Sequence, residues 1–309
     1  MDKLAAMATF IEIVDHGSLT AAADALGKAQ PTMVRTLANL EAHLGVRLLR
    51  RTTRRLALTS DGRDYLERCR RILADVEEAE RALDSRQLAP RGPLRITAPV
   101  TFGQLHVMPV VNEFLQSWPE VTIDLLLLDR PVNLLEEGID LAVRIGPLVD
   151  SSMVALEAGS MRQVVVASPD FLSHVGVPSV PAELGALPCV DFLGASRSAA
   201  WPFMVSGKSV LQPINARVKV NQALPAVSAC TAGLGLGRFF EYQVRDRVER
   251  GELIVVLEAH EMPPMPVSLL TTEGRLLPHR LRLFRTALHD ALGRRAAGTD
   301  NNRVTAPAI

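Results

Sequence analysis

A helix near the N-terminus carries polar side chains of the types that contact the edges of DNA bases. Pro31 suits the first turn of a helix, where its missing N–H is not needed, and the apolar spacing continues to about His43. The apolar face consists of Met33, Leu37, Leu40 and Leu44, and the opposite face of Thr32, Arg35 and Asn39. Short hydroxyls, an amide and a guanidinium on one face are the groups that read the major groove.

A shorter, alanine-rich helix is predicted immediately before it. Its apolar residues are Leu19, Ala22, Ala23 and Leu26, at helical spacing. Ser18 is a favourable N-cap, Gly27 allows the chain to leave the helix, and a three-residue turn follows. Gln30, just before the second helix, can reach a base or a phosphate. The pair predicts a helix–turn–helix, with Ser18 and Gln30 added to its DNA-contacting residues.

An arginine-rich segment follows the second helix. Residues 28–63 contain eight Lys and Arg residues against Glu41 and Asp61, an excess of six positive charges in a chain that balances 34 against 34. Such a concentration predicts a polyanionic partner. The run 50–55 suits the tip of a β-hairpin that contacts phosphates or the minor groove. The predicted contacts in it are Arg50, Arg51, Thr53 and Arg54.

The next segment, residues 61–87, has an apolar seam at alternating steps of four and three. Its members are Tyr65, Cys69, Ile72, Val76, Ala79 and Leu83. The spacing is that of nearly three heptads and favours a helix that dimerises. A single amphipathic helix lying on its own domain has the same periodicity, so the spacing alone leaves both interpretations open.

Residues 1–90 resemble the N-terminal half of LysR-type bacterial transcriptional regulators. The matching segments are 7–10, 17–23, 30–31, 40–41, 44–49, 51–54, 58–59 and Gly62. The resemblance implies that the helix at 61–88 is the linker through which such regulators dimerise. Ala29 and Val34 stand where the family usually and often has serine, so we expect a different preference for DNA sequence with the same docking mode.

Composition and length agree with a multi-domain protein. The 309 residues suffice for two or three domains, and they contain no uninterrupted apolar run long enough to span a membrane. The N-terminus starts directly into an amphipathic helix with Leu4, Met7, Ile11 and Val14 predicted to face inward, and it lacks the pattern of a secretion signal. Its three cysteines are too few for a disulfide framework. We therefore expect a cytoplasmic protein without membrane partners.

Beyond the Pro- and Gly-containing break at 88–93, the pattern alternates between strands and helices. Strands are predicted at 93–98, 121–128, 141–145, 163–168, 189–192, 217–221, 254–257 and 267–272. Helices are predicted at about 102–117, 131–138, 169–174, 223–232, 241–250 and 278–292. This alternation predicts an α/β domain with a mostly parallel sheet. Residues 294–309 are small and polar, and we expect them to be disordered.

This portion also resembles the LysR-type family, as its effector-binding half. The matching segments are 98–99, 102–103, Pro109, 118–120, 129–131, 137–138, 140–146, 150–152, 167–169, 233–236 and 251–253. The resemblance implies an α+β multi-domain protein with a winged helix–turn–helix, a linker helix and a two-lobed domain like the periplasmic solute-binding proteins. The implied domains are 1–60, 61–88 and 89–293, with lobe one at about 92–161 plus 267–293 and lobe two at about 162–266.

A small molecule is expected at the carboxyl ends of strands in the crevice between the lobes. The predicted ligand-contacting residues are Thr101, Phe102, Gly103, Arg144, Gly146, Pro147, Phe192, Trp201, Asn221 and Arg238. A helix N-terminus and arginines favour a carboxylate with an apolar or aromatic body. A structural ion pair competes with this role for Arg144, and packing in the core competes with it for Trp201.

Two other function classes are weighed against a regulator. An enzyme fused to a DNA-binding domain is disfavoured, because Arg238 replaces the third glycine that the run 233–237 would need to cradle a dinucleotide. A redox-sensing regulator would use Cys189 and Cys230, but both lie in apolar segments that favour inert thiols. The scattered histidines predict no metal site, and no cofactor is expected.

The sequence therefore predicts a homodimer or homotetramer that binds a pseudo-palindromic operator in double-stranded DNA. A small-molecule co-inducer is expected to control it, with RNA polymerase as a further partner. The sequence contains no nucleophile elbow, metalloprotease helix or phosphate-binding loop, so we expect no enzyme activity.

Overall fold

Helices and a short hairpin make up residues 1–82. In the computed structural model, which describes residues 1–51, 56–82, 89–130, 132–148, 153–192, 200–272 and 277–299, this segment belongs to a unit formed by residues 1–93, 118–122 and 278–280. Its elements are α1 (Lys3–Asp15), α2 (Leu19–Ala25), α3 (Gln30–Leu44), β1 (Leu49–Arg51), β2 (Leu56–Leu58) and α4 (Ser60–Ala82).

The predicted helix boundaries of the helix–turn–helix have clear local causes. The Ser18 hydroxyl accepts the Ala21 N–H at 3.0 Å and caps α2. Pro31 lies in the first turn of α3, and Gly45, at φ +73°, ends that helix in the left-handed conformation. Strands β1 and β2 pair antiparallel, with Leu49 opposite Leu58. The hairpin between them was predicted, and its tip at 52–55 lies outside the described residues.

The core of this unit is formed by faces of α1 and α4 that differ in part from those predicted. Helix α1 buries Ala6, Thr9, Phe10 and Ile13, whereas Leu4, predicted to face inward, is 41% exposed. Helix α4 contributes Leu66 and the fully buried Cys69 to the same core, and Tyr65 packs against it.

Cys69 is fully buried in the core of its own unit and therefore cannot contact a second chain, whereas Tyr65 is half-buried and stays a predicted dimer contact. The interpretation of α4 as a helix lying on its own domain is right for its first turns, because α1 covers the apolar stripe there. Farther along α4, Ile72 is 39% exposed and Val76 is half-buried, so both stay predicted dimer contacts. No side-chain placement is described for Ala79, and Leu83 lies outside the described residues.

The remainder of the chain folds into two mixed sheets with helices packed on them. The first part comprises β3 (Gly92–Ala98), α5 (Val100–Phe102), a π-helical turn (Gly103–Val107), α6 (Met108–Ser117), β4 (Val121–Leu127), β5 (Leu141–Ile145) and β6 (Met153–Met161). The second comprises β7 (Gln163–Ala167), α7 (Pro169–Val175), β8 (Pro188–Phe192), β9 (Ala200–Val205), β10 (Lys208–Pro213), β11 (Asn215–Val220), α8 (Ala223–Thr231), β12 (Leu236–Phe240), α9 (Glu241–Glu249) and β13 (Ile254–Val256). The last elements are β14 (Met265–Thr272) and α10 (His279–Thr299).

The strand order establishes two lobes. One sheet has the order β4-β3-β5-β14-β6 and the other β11-β8-β12-β7-β13. The chain leaves the first sheet after β6 and returns to it only with β14, so it crosses between the lobes twice, as expected. Strand β3 pairs parallel with β5, and β8 pairs parallel with β11 and β12, whereas β7 and β14 run antiparallel to their neighbours. The expectation of a mostly parallel sheet is therefore wrong.

Two further predictions about this part are wrong. Residues 132–138 form turns instead of a helix, because the Asn133 side chain accepts the Leu135 and Glu136 N–H groups at 3.1 and 3.3 Å and Gly138 has φ +61°. The C-terminal helix runs on to Thr299, since the Arg and Ala residues after Gly293 favour helix. Disorder from residue 294 is thus wrong as far as 299, and 300–309 lie outside the described residues.

The hairpin of β9 and β10 was not predicted. Its two-residue turn, Ser206 and Gly207, has φ of +50° and +76°, and a Ser-Gly pair between strands is a signal for such a turn. Among the described residues, no helix is long and apolar enough to cross a membrane.

Candidate DNA-reading face and effector cleft

The outer face of α3 presents the side chains that were predicted to read bases. Gln30, Thr32, Arg35 and Asn39 are all exposed, while Met33 and Leu37 on the opposite side are at most 2% exposed. The apolar side of the helix is held against the core, so its polar side is presented outward as one continuous strip. This geometry suits insertion into a DNA groove.

The other predicted DNA contacts have different surroundings. Ser18 is half-buried and its hydroxyl caps α2, which gives it a structural task. Arg50 lies on β1 opposite Ala57 and is exposed. Arg51 ends β1, without a described side-chain placement, and Thr53 and Arg54 lie outside the described residues.

Exposed positive charge surrounds this face. Lys28, Arg47 and Arg63 are exposed in addition to Arg35 and Arg50. Glu41, counted as an opposing charge, is only 7% exposed, because its carboxylate accepts backbone N–H groups behind the hairpin. The available signal for this burial was its position four residues after Leu37, on the apolar side of α3.

In lobe one, the segment after β3 is packed tightly. Thr101 and Phe102 are 6% and 0% exposed. A Cβ at Gly103 would lie 2.2 Å from Leu127 Cδ2 and 3.3 Å from Ala98 Cβ, so close packing against the sheet explains this glycine. The π-helical turn begins here and widens the helix next to the strand ends.

Arg144 occupies the carboxyl end of β5 beside a second charged group. The Asp129 carboxylate accepts the Val100 N–H at 3.0 Å, and burial raises the pKa of Asp129. Burial lowers the pKa of Arg144, and its charge interacts with Glu137 and Asp129. An ion-pair role is thus part of the surroundings of Arg144. Next to it, Gly146 is buried and Pro147 is exposed.

Lobe two separates its predicted ligand contacts. Phe192 and Asn221 lie at the neighbouring carboxyl ends of β8 and β11, with Asn221 exposed. Trp201 is 5% exposed and belongs to a core cluster with Cys189 and Phe203, so packing accounts for its placement.

Arg238 is a half-buried cation of lobe two. Its guanidinium donates to the Gln163 side chain, and burial lowers its pKa to about 10. The partner is a neutral amide, and burial is the one cause of this pKa change. The charge of Arg238 is therefore partly removed from water, and no carboxylate among the described residues pairs with it.

An aromatic cluster between the lobes was not predicted. Phe102 and His106 of lobe one have ring centroids 5.5 and 5.3 Å from that of Tyr242 in lobe two, with edge-on geometry. Phe240 stacks on Tyr242 at 5.9 Å. Burial raises the pKa of Tyr242, with the charge of Asp129 adding to the effect. The i, i+4 spacing of Phe102 and His106 was the available signal.

The chemistry of the alternative functions has little support in these surroundings. Cys189 and Cys230 are fully buried, and burial raises the pKa of each thiol to about 12. Protonated thiols are poor nucleophiles and poor metal ligands. Within the described ranges, no cluster of three or more His, Cys, Asp or Glu residues could hold a metal ion.

A basic helix–turn–helix unit followed by a two-lobed ligand-binding fold defines a ligand-responsive DNA-binding regulator. Residues 4–63 match the family model described as bacterial regulatory helix-turn-helix protein, lysR family, and residues 87–293 match that of the LysR substrate binding domain. The chain belongs to the LysR family of transcriptional regulators.

Relatives support the same assignment over nearly the full length. An HTH-type transcriptional repressor of Pseudomonas aeruginosa is 35% identical over 286 residues, covering 92% of this chain and 90% of the relative. The HTH-type transcriptional activator AaeR of Escherichia coli is 30% identical over 290 residues, or 94% of each chain. The structure of CrgA, a LysR-type transcriptional regulator from Neisseria meningitidis, matches with a TM-score of 0.60 at 28% identity, over 93% of this chain and 98% of CrgA. The protein is a transcriptional regulator under small-molecule control, in a family that forms multimers, and not an enzyme.

Proposed function

We propose that this regulator binds a pseudo-palindromic operator as a dimer, or as a tetramer built from two dimers, in the cytoplasm where chromosomal DNA is found. The observation that carries the proposal is the exposed polar strip of α3 beside the exposed Arg50 of the hairpin. One such helix covers few base pairs, whereas two helices one helical turn apart read a half-site each. In this proposal RNA polymerase contacts the DNA-bound regulator.

The residues on the two elements have different tasks in this proposal. Gln30, Thr32, Arg35 and Asn39 contact base edges, because they combine donors and acceptors on one face. The residues of the hairpin contact the sugar-phosphate backbone of the DNA, which is charged and the same for every base sequence; they are Arg50, Arg51, Thr53 and Arg54. A change on α3 should therefore alter specificity, and a change in the hairpin should alter affinity for all DNA.

Titrations with operator and unrelated DNA test this division. Arg35→Ala should lower the ratio of specific to nonspecific affinity by about tenfold or more, the discrimination of one bidentate base contact. Arg50→Ala should weaken both complexes alike and reduce the salt slope by about one. An unchanged ratio in Arg35→Ala, with an unchanged salt slope in Arg50→Ala, would show that another surface binds DNA.

We further propose a carboxylate with an aromatic body as the effector, bound at the carboxyl ends of the strands of both lobes. The half-buried rings of His106 and Tyr242, both in contact with the buried ring of Phe102, suit an aromatic ligand. The charge of Arg238, which has no carboxylate partner among the described residues, suits a carboxylate. Thr101, Arg144, Gly146, Pro147, Phe192 and Asn221 are the further predicted contacts. Trp201 is left out because the core surrounds it.

Thermal unfolding with matched ligands tests the effector class. Aromatic carboxylates should raise the unfolding temperature, with about 2.7 kcal/mol of stabilisation at a concentration 100 times the Kd. The corresponding aromatic alcohols and amines should not, and no carboxylate should be consumed. Stabilisation by the amines alone would overturn the assignment of the ligand's charge.

A further inference from the structure

The buried carboxylate of Glu41 connects helix α3 to residues 47–49, at the start of the β1–β2 hairpin. One oxygen, Oε1, accepts the Leu48 N–H at 2.8 Å and the Leu49 N–H at 3.1 Å. The other, Oε2, lies 3.3 Å from the Arg47 guanidinium, whose side chain is 82% exposed. A buried carboxylate that accepts two backbone N–H groups fixes their direction strongly. The last turn of α3 and the segment 47–49 therefore move together.

A second buried side chain joins the same segment to the linker helix α4. The Thr59 hydroxyl donates to the Arg47 carbonyl at 2.7 Å and has the Leu48 carbonyl 3.2 Å away. The same oxygen accepts the Gly62 N–H at 2.8 Å, in the first turn of α4. Thr59 is 9% exposed, so water competes little for these bonds.

Backbone packing leaves little freedom to the joint between α3 and α4, which is formed by Glu41, Leu48, Thr59 and Gly62. The Leu48 carbonyl accepts the Thr59 N–H at 3.0 Å, and a Cβ at Gly62 would lie 2.0 Å from the Leu48 oxygen. Helix α4 thus begins in direct contact with the main chain at Leu48, a residue that is itself 0% exposed. Leu48 connects to α3 through its N–H and to α4 through its carbonyl.

We propose that Glu41 and Thr59 are positioning residues that set the half-site spacing this regulator accepts, without touching DNA. The proposal rests on the paired half-site reading proposed above. Helix α4 has 23 residues and is thus about 35 Å long, so a tilt of about 6° at its start moves its far end by about 3.5 Å. That displacement is about the rise of one base-pair step. Small changes at the joint therefore become changes in register between two half-sites.

The test measures binding of the full-length protein to operators whose half-sites, identified by selection from random DNA, are separated by spacers varied one base pair at a time. Wild type should prefer one spacer. Thr59→Val keeps the side-chain shape but removes the hydroxyl, so discrimination between adjacent spacers should fall about fivefold, the effect of one lost hydrogen bond. Affinity for a single half-site should stay within about twofold. Thr59→Ser should restore the wild-type spacing profile.

The neighbouring Ser60 is exposed, and Ser60→Ala is the matched control that should leave the profile unchanged. A wild-type profile in folded Thr59→Val would overturn the inference, and so would an equal loss at every spacer and at the single half-site. Wild type without any preference for paired half-sites would instead overturn the proposed dimeric reading, on which the inference depends.

Discussion

The two units of the molecule place their arginines in opposite environments. Arg35 and Arg50 of the N-terminal unit are exposed, whereas Arg144 and Arg238 of the C-terminal unit are half-buried with lowered pKa values. An exposed charge costs little to maintain and attracts any nearby polyanion over a Debye length. A buried charge costs stability unless a counter-ion compensates it, and Arg144 interacts with Glu137 and Asp129 whereas Arg238 has a neutral amide as its partner. The difference separates a surface that reads a long polymer from a cleft that recognises one small molecule.

Disrupting the scaffold under the exposed arginines should give the largest effect. In Gly62→Ala the added Cβ would lie 2.0 Å from the Leu48 carbonyl oxygen, and neither backbone can yield easily. We expect the N-terminal unit to lose about 3 kcal/mol of stability. Hydrogen exchange in α3 and α4 measures this loss separately from the rest of the chain.

Gly293→Ala provides the matched control for that substitution. Gly293 lies within α10, with nothing within 4 Å of an added Cβ, so alanine should stabilise its helix by up to about 1 kcal/mol. If hydrogen exchange in α3 and α4 of Gly62→Ala were as slow as in wild type, the backbone contact between Gly62 and Leu48 would not be maintained in solution.

The same contrast explains what could be predicted from the sequence. The DNA-reading face follows from local periodicity, because Thr32, Arg35 and Asn39 share one helix and one side. The seam at Tyr65 and Cys69 has equally good periodicity, but periodicity says only that a face is apolar and not what covers it. In this chain α1 packs against the first turns of that face, and the spacing within α4 cannot reveal a contact with a distant segment.

The effector cleft was harder to predict because it is assembled from distant segments. Tyr242 meets Phe102 across 140 positions of sequence, and no local pattern records that pairing. Residues chosen by strand position, such as Phe192 and Asn221, lie at the expected carboxyl ends. Trp201 does not, since the unpredicted hairpin of β9 and β10 carries it into the core.

Arg238 offers a way to sharpen the comparison between the two kinds of arginine. Arg238→Met should stabilise the C-terminal unit by about 1 kcal/mol or more, because it removes a charge whose pKa burial lowers to about 10. The same variant should lose its thermal response to aromatic carboxylates. Urea unfolding with and without ligand measures both effects.

Arg217 on β11 is exposed, so Arg217→Met is the matched control and should change stability by less than about 0.5 kcal/mol. If Arg238 binds a ligand, we expect its replacement to stabilise the protein while the replacement of Arg217 does not, because functional residues are often kept at a cost in stability. Equal destabilisation of both variants would mean that the charge of Arg238 is compensated and that it does not await a ligand.

The smallest effects are expected at the buried thiols. Burial raises the pKa of Cys189 and Cys230 from 9.0 to about 12, so the folded protein holds these protons more tightly than the unfolded chain. Their contribution to stability is complete below about pH 9 and is lost as the pH rises toward 12. At pH 8 an alkylating agent should label the native thiols only as fast as the protein opens, while urea-unfolded protein should react at once. Rapid labelling of the native protein, together with a peroxide-dependent change in DNA affinity that Cys189→Ala or Cys230→Ala abolishes, would reinstate the redox alternative and place a reactive group in the unit that otherwise buries its charges.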